Sequence, residues 1–221
     1  MYNVNDKDSV IPGQILGSTT EHDLTCFREN DTVISSVVGV ARLGNDAVRI
    51  VPSSGVYVPK TEDVILAVVI REHSSCWDLD INSPYGCILI KEKSFDDRRF
   101  RGPRTENNFL LGDLLSVKIS NVNEINFSQA MKPWKLDTGR ILEVDPKRVP
   151  RVIGKQRSML NLLKEKTQCS VIVGQNGRIW IKGPKEDFVV KVIEKIVKEA
   201  QTQGLTDRIE NLLNEEAKNE E

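Results

Sequence analysis

The sequence predicts an α+β multidomain protein, and three observations carry that prediction. Short apolar runs punctuated by glycine, proline and asparagine fill the chain from Val10 to Ser128. From Arg140 the pattern becomes strand, two helical segments, two strands and a long helix of period 3.6. Proline-marked connections, Pro52 to Pro59 and Lys132-Pro133-Trp134-Lys135-Leu136, separate three parts: residues 1–60, 61–131 and 132–221.

The first part is β-rich. After a polar start, Ile11-Pro12-Gly13-Gln14-Ile15-Leu16-Gly17 opens a region that continues through Val33 to Val40 and Ala47 to Val51. Leu43-Gly44-Asn45-Asp46 has the composition of a hairpin turn between the last two runs. The stretch is short for an independent fold, so it is expected to complete its surface against a partner.

The second part contains five strand-like runs: Val64 to Arg71, Cys76 to Ile81, Gly86 to Ile90, Leu114 to Ser120 and Ile125 to Ser128. Five short strands with one long interruption between the third and fourth fit an OB-type barrel, whose closure would remove exposed sheet edges. The interruption holds Lys91, Lys93, Arg98, Arg99, Arg101 and Arg104, with Phe95 and Phe100 interleaved. Cations for phosphate and flat faces for bases are what single-stranded nucleic acid requires. Asp96 and Asp97 argue instead for a solvated connection; the local positive surplus favours RNA contact.

In the third part, Arg140 to Val144 reads as a leading strand. Val149, Val152 and Ile153 give an apolar helical face that Gly154 interrupts, and Ser158 restarts a helix with Met159, Leu160, Leu162 and Leu163. Between the two lies a basic turn, Gly154-Lys155-Gln156-Arg157. A glycine lets a nucleic-acid backbone approach, and a helix N-terminus offers free N–H groups to phosphate. Cys169 to Val173 and Arg178 to Lys182 form a hairpin around Gly174-Gln175-Asn176-Gly177. Glu186 to Ala200 is an amphipathic helix, and Leu205, Ile209, Leu212 and Leu213 mark one more. This order resembles a KH domain, whose glycine loop clamps a short run of single-stranded RNA. Arg157 stands where the pattern has its second glycine. A residue with a Cβ enters positive φ only at a cost, which puts the usual clamp geometry in question there.

Composition sets limits on function. The chain has 221 residues, 39% of them hydrophobic and 5% aromatic, so any cores are aliphatic. A formal net charge of −1 gives no global attraction to nucleic acid, so attraction must come from patches. One runs from Lys132 to Arg157, where Lys132, Lys135, Arg140, Lys147, Arg148, Arg151, Lys155 and Arg157 face only Asp137, Glu143 and Asp145. Cys26, Cys76, Cys87 and Cys169 are scattered and form no CxxC pair, so no metal or cofactor site is expected. With no apolar run of membrane-spanning length and no signal-like start, the reading is a reduced, cytoplasmic protein. Without a nucleophile–base pair or a phosphate-cradling lysine loop, no catalytic residues are assigned.

Several ordered motifs then carry a wider resemblance. They are Val10-Ile11-Pro12-Gly13, Trp77-Asp78-Leu79-Asp80-Ile81-Asn82-Ser83-Pro84, Pro133-Trp134-Lys135-Leu136, Val149-Pro150-Arg151-Val152-Ile153-Gly154, Gly174 to Ile181, and Gly204-Leu205-Thr206-Asp207-Arg208-Ile209. In this order the chain resembles the RNA-binding cap subunit of the archaeal exosome, which carries an S-one type barrel and a KH domain. It departs at Glu62, where the family tends to place glycine before the aspartate. The resemblance implies a non-catalytic subunit, three copies of which cap a hexameric ring of phosphorolytic ribonuclease subunits. They bind single-stranded RNA at the entry pore and feed its 3′ end inward. It implies docking on the ring through the N-terminal domain.

The RNA-binding candidates are therefore Lys91, Lys93, Arg98, Arg99, Arg101 and Arg104 in the barrel loop, and Arg151, Gly154, Lys155, Gln156 and Arg157 at the KH turn. Tyr85 joins them, open between base-stacking platform and core. Trp77 alternates with Leu79 and Ile81 and is assigned to the core. Asp78 and Asp80 are expected to face outward as partners of polar or basic groups. Trp180 points away from Ile179 and Ile181, to be covered by solvent, RNA or a neighbouring domain, and Trp134 is expected to wedge between domains. The rival reading is an assembly subunit that bridges ring components without gripping RNA.

Overall fold

The computed structural model describes residues 2–18, 21–22, 25–44, 47–91, 109–200, 202 and 204–218. It divides into two compact units, Met1–Gly55 and Val56–Glu221.

The first unit is built from two small sheets. One has the order β1 (Ser9–Val10), β6 (Gly39–Leu43), β7 (Ala47–Pro52), β3 (Glu21–His22), and the other β2 (Ile15–Gly17), β5 (Thr32–Ser35), β4 (Cys26–Glu29). Both bury onto one core that includes Val10, Leu16, Val33, Ala41, Val48 and Ile50. The apolar run read as continuous from Val33 to Val40 is in fact two strands. The Ser35 hydroxyl donates to the Val37 carbonyl at 2.7 Å and closes a local turn that moves the chain from one sheet to the other.

The second unit begins with a closed barrel of order β10-β12-β11-β8-β9. Its strands are β8 (Val64–Glu72), β9 (Cys76–Asp80), β10 (Cys87–Ile90), β11 (Leu114–Val122) and β12 (Ser128–Lys135). All neighbours are antiparallel except β10 and β12, the parallel pair of an OB-type barrel. Strand alternation places Trp77, Leu79, Leu115, Val117 and Ile119 inside. Tyr57 enters this core from the preceding segment, and its hydroxyl donates to Asp63 Oδ2 at 2.7 Å. Burial first, then Asp63, pushes the phenol pKa up.

The fifth strand differs from the sequence reading. Ile125 to Phe127 form a turn fixed by Asn123, whose Oδ1 accepts from the Phe127 N–H at 2.8 Å. The strand then runs through the stretch read as a linker, Lys132 to Lys135. Lys132 (φ 53°) and Pro133 form a bulge opposite β11, where the pairing jumps from Ser116↔Trp134 to Lys118↔Met131. A bulge is where a strand tolerates proline, since the missing N–H is not needed there. Trp134 is consequently 57% exposed on the barrel surface, not wedged between domains.

The remainder is β13 (Arg140–Glu143), α1 (Val149–Ile153), α2 (Ser158–Thr167), β14 (Ser170–Val173), β15 (Arg178–Lys182), α3 (Glu186–Lys198) and α4 (Leu205–Lys218). The sheet order is β13-β15-β14, with both pairings antiparallel. The helices cover one face, packing Val189, Ile193 and Ile196 of α3 and Ile209 of α4 against Val171, Ile179 and Ile181. Each such buried aliphatic side chain contributes about 1.5–3 kcal/mol. No helix among the described residues is long and apolar enough to cross a membrane.

Candidate nucleic-acid interface

The turn between α1 and α2 is the place among the described residues where two successive non-glycine residues have positive φ. Gly154 ends α1 at φ 74°, ψ 170°, its N–H bonded to the Pro150 carbonyl. A Cβ there would lie 2.7 Å from the Met159 nitrogen, so both conformation and space call for glycine. Gln156 (φ 53°, ψ 33°) and Arg157 (φ 64°, ψ 18°) are left-handed in succession, and Ser158 then starts α2. Arg157 therefore does enter positive φ: the turn keeps the backbone that a glycine would favour and absorbs the steric cost. Lys155, Gln156, Arg157 and, on α1, Arg151 are exposed.

The positive surplus of this region is not uniformly available. Lys135 pairs with Asp113 at 2.7 Å, and Arg140 pairs with Asp187. The Arg148 guanidinium donates to the Val197 carbonyl near the end of α3 at 2.6 Å, a favourable site for a cation. Lys132 also has a partner. By contrast Lys147, Arg151, Lys155 and Arg157 are exposed with no carboxylate partner among the described residues. Lys155 and Arg157 lie in the left-handed turn itself, Arg151 on the helix that leads into it and Lys147 just before that helix, so exposed charge without a carboxylate partner brackets α1 and the turn.

On the barrel, Lys93, Arg98, Arg99, Arg101 and Arg104 lie outside the described residues. Lys91, just after β10, sets its ammonium 2.7 Å from Glu72 Oε1 and 4.8 Å over the ring of Trp77. Trp77 is buried, as its alternation requires, and meets Phe109 edge to face at 5.2 Å. Tyr85 is half-buried beside a turn in which the Ser83 hydroxyl donates to the Tyr57 carbonyl at 2.6 Å. Asp78 faces outward to His73 Nε2 at 3.0 Å and Arg71 at 3.9 Å, the ordinary ion-pair role expected of it.

Asp80 does more than its sequence context suggests. Arg178 of β15 reaches across from the KH-like sheet and donates to Asp80 Oδ2 at 2.6 Å, the Asp80 carbonyl at 2.8 Å and Glu143 Oε1 at 2.9 Å. Burial works against the Asp80 carboxylate, yet the Arg178 guanidinium and the Asn82 N–H outweigh it and hold its pKa below the ordinary range. Two positions earlier, Asn176 is fully buried against the barrel. Its Nδ2 donates to the Leu66 and Ile81 carbonyls at 2.7 and 2.8 Å, and its Oδ1 accepts from the Leu66 N–H at 3.2 Å. Trp180 is covered by the barrel side, packed with Leu66, Leu114 and Leu136, and its indole N–H donates to the Asp137 carbonyl at 3.1 Å. Sequence reasoning missed this cluster because Asn-Gly reads as turn chemistry. The available signal was an arginine alternating into a strand beside a tryptophan, on the face opposite Ile179 and Ile181.

Comparison with known proteins places these features in context. A KH domain family model matches residues 139–187. The exosome complex component Rrp4 of Methanosarcina barkeri is 39% identical over 98% of this chain and 85% of its own length. That of Methanothermus fervidus is 36% identical over 96% of this chain and 98% of its own. A crystal structure assigned to an exosome complex RNA-binding protein aligns with a TM-score of 0.62 at 32% identity, covering 76% of this chain and all of that one.

Proposed function

The chain belongs to the Rrp4 family of exosome complex components, and from that premise we propose that it is a non-catalytic RNA-binding subunit of an exosome. In this reading three copies cap a hexameric ring of phosphorolytic ribonuclease subunits in the cytoplasm. They hold single-stranded RNA at the entry pore and pass its 3′ end to the ring. Residues 1–60 dock on the ring, while residues 61–131 and 132–221 supply the RNA contacts. The observation that carries it is the group of four exposed cations with no carboxylate partner among the described residues, Lys147, Arg151, Lys155 and Arg157, running from just before α1 into a turn whose backbone is left-handed. Cations without carboxylate partners release counterions when phosphate binds, and that release drives sequence-tolerant association. In the N-terminal unit, Ile15 and Phe27 both pair with the buried Ile34 and leave two exposed apolar side chains on one face of the second sheet. Such a face suits protein contact.

The test is fluorescence anisotropy with a labelled poly-adenine oligomer over a salt series. Affinity is expected to fall steeply with salt, and alanine at Lys155 and Arg157 is expected to flatten the dependence. Binding indifferent to salt would refute the phosphate-driven part. One observation favours the assembly reading: Lys135, Arg140 and Lys91 are already in ion pairs. Alanine at Arg98, Arg99 and Arg101 separates the two, because intact ring assembly with unchanged RNA capture would select the assembly subunit.

A further inference from the structure

We propose that Trp134 is a stacking platform for a nucleobase, a base-contacting site on the outer wall of the barrel that adds to the cationic turn between α1 and α2. This rests on the RNA-binding reading above and names a residue that touches a base rather than a phosphate.

The bulge in β12 decides where this ring points. Ala130 faces the barrel interior, and strict alternation from it would send position 134 inside as well. The extra residue on β12, where the pairing steps from Lys118↔Met131 to Ser116↔Trp134, inverts that order. Ser116 lies between the inward-facing Leu115 and Val117, so its partner Trp134 faces outward. The inversion has a packing reason of its own, since it seats Leu136 in the buried cluster with Leu66, Leu114 and Trp180. That reason asks nothing of position 134, where any polar side chain would serve. A tryptophan stands there instead, 57% exposed, while Trp77 and Trp180 are 1% and 6% exposed.

The surroundings of the ring favour a nucleobase over a protein partner. The core of a protein interface is several apolar side chains wide. Trp134 instead has the half-buried Ser116 opposite it, Lys118 diagonally across on β11, and Lys132 and Lys135 exposed on its own strand. Lysines around one flat ring are the combination that single-stranded RNA uses, the ring for a base and the ammonium groups for the adjoining phosphates. Lys135 is held by Asp113 at 2.7 Å, and Lys118 forms an exposed ion pair with Glu62. An exposed pair is weak, so a phosphate can share the Lys118 ammonium. Charge is therefore secondary at this site, and the ring supplies most of the contact.

The ring and the cationic turn contribute by different physics. Phosphate contacts release counterions and weaken as salt rises, whereas a stacked base releases none. Removing the ring should lower affinity and leave the salt slope alone; removing Lys155 or Arg157 should change the slope. Because Trp77 and Trp180 are buried, quenching of tryptophan emission by bound RNA reports on Trp134.

The experiment measures poly-adenine binding to the full chain by anisotropy over a salt series, with tryptophan emission read in parallel on unlabelled RNA. RNA should quench the wild type. Trp134→Phe, which keeps a ring, should lose that quench while holding affinity within about threefold. Trp134→Ala and Trp134→Leu should each bind about tenfold more weakly at an unchanged salt slope, because neither presents a flat face. Inorganic polyphosphate, a polyanion without bases, should bind the wild type and Trp134→Ala equally. An alanine variant with wild-type affinity for RNA would overturn the proposal, as would an equal loss for polyphosphate or a leucine variant that matches the phenylalanine one. Unchanged RNA binding with loss of the larger complex in light scattering with a ring-forming nuclease would overturn it in favour of a protein contact. A wild type that binds RNA without quenching would overturn this inference alone, and one that binds no RNA would overturn the functional reading with it.

Discussion

Arg157→Gly should make the protein more stable while weakening its hold on RNA. Arg157 is fixed at φ 64°, ψ 18°, and an L-residue with a Cβ pays about 1–2 kcal/mol for that conformation. Glycine removes the cost but raises the entropy of the unfolded chain by about 0.4–1 kcal/mol. The exposed side chain has no carboxylate partner among the described residues, so little else is lost. The net gain is about 0.5–1 kcal/mol, or a few degrees in Tm for a chain of this size. Arg157→Ala keeps the backbone cost and removes the same charge, so Gly should exceed Ala by roughly 1 kcal/mol. Both should lower the salt slope of RNA binding by about 0.7 if Arg157 meets one phosphate. Glu62, also at positive φ (76°), offers a comparison away from the turn: Glu62→Gly relieves the same backbone cost but gives up the exposed ion pair with Lys118, so its gain should be smaller. Urea unfolding followed by tryptophan fluorescence gives the stabilities. A glycine variant less stable than the alanine variant would refute the reasoning.

Three further outcomes follow from the geometry. Gly154→Ala should destabilise the KH-like unit by about 1–3 kcal/mol in urea unfolding, because φ 74° and the Met159 backbone at 2.7 Å both oppose a Cβ. Asp80 has a folded pKa below its unfolded value, so its contribution is complete above the unfolded pKa and is lost as pH falls through the folded one. The urea midpoint of the second unit should therefore vary little from this group between about pH 5 and 7 and drop below about pH 4; Asp80→Asn should remove that acid-linked component. Ile15→Ser with Phe27→Ser should leave the melting curve nearly unchanged, within about 0.5 kcal/mol each. In light scattering of mixtures with a ring-forming nuclease, the same pair should abolish the larger complex.

What could be read from the sequence and what could not divide along a physical line. Alternation with period 2 placed Trp77, Leu79 and Ile81 inside the barrel, and period 3.6 marked α3, because burial on one face is written directly into residue order. Pro133 misled for an equally physical reason. Proline argues against a strand interior, and only the pairing partner reveals the bulge at Lys132 that accommodates it. Of the two departures from glycine, Arg157 put the turn's geometry in question, yet it adopts positive φ, as Glu62 does. Tertiary packing over-determined those turns, and a local cost of one or two kcal/mol was not enough to change them. For the candidate site, the cations were visible but their partners were not. Whether Lys135 or Lys155 is free depends on Asp113, a residue remote in sequence that lies beside one and not the other. The Asn176 and Arg178 contacts bridge segments about a hundred positions apart, beyond the reach of any local pattern.

Asn176-Gly177 also carries a chemical liability. In a mobile chain, the glycine nitrogen after asparagine readily attacks the side-chain carboxamide, and the succinimide formed hydrolyses to aspartate or isoaspartate. Here the attacking nitrogen is committed, with the Gly177 N–H donating to the Gly174 carbonyl at 3.1 Å, and the carboxamide is held by Leu66 and Ile81. The folded molecule thus shields its own weak point from ageing, while time spent unfolded exposes it. A chain that deamidates in that interval returns with a carboxylate facing two main-chain carbonyls, and repulsion replaces two donated bonds. Heat-stressed preparations should therefore accumulate a fraction that has aged at one dipeptide and refolds each half without rejoining them.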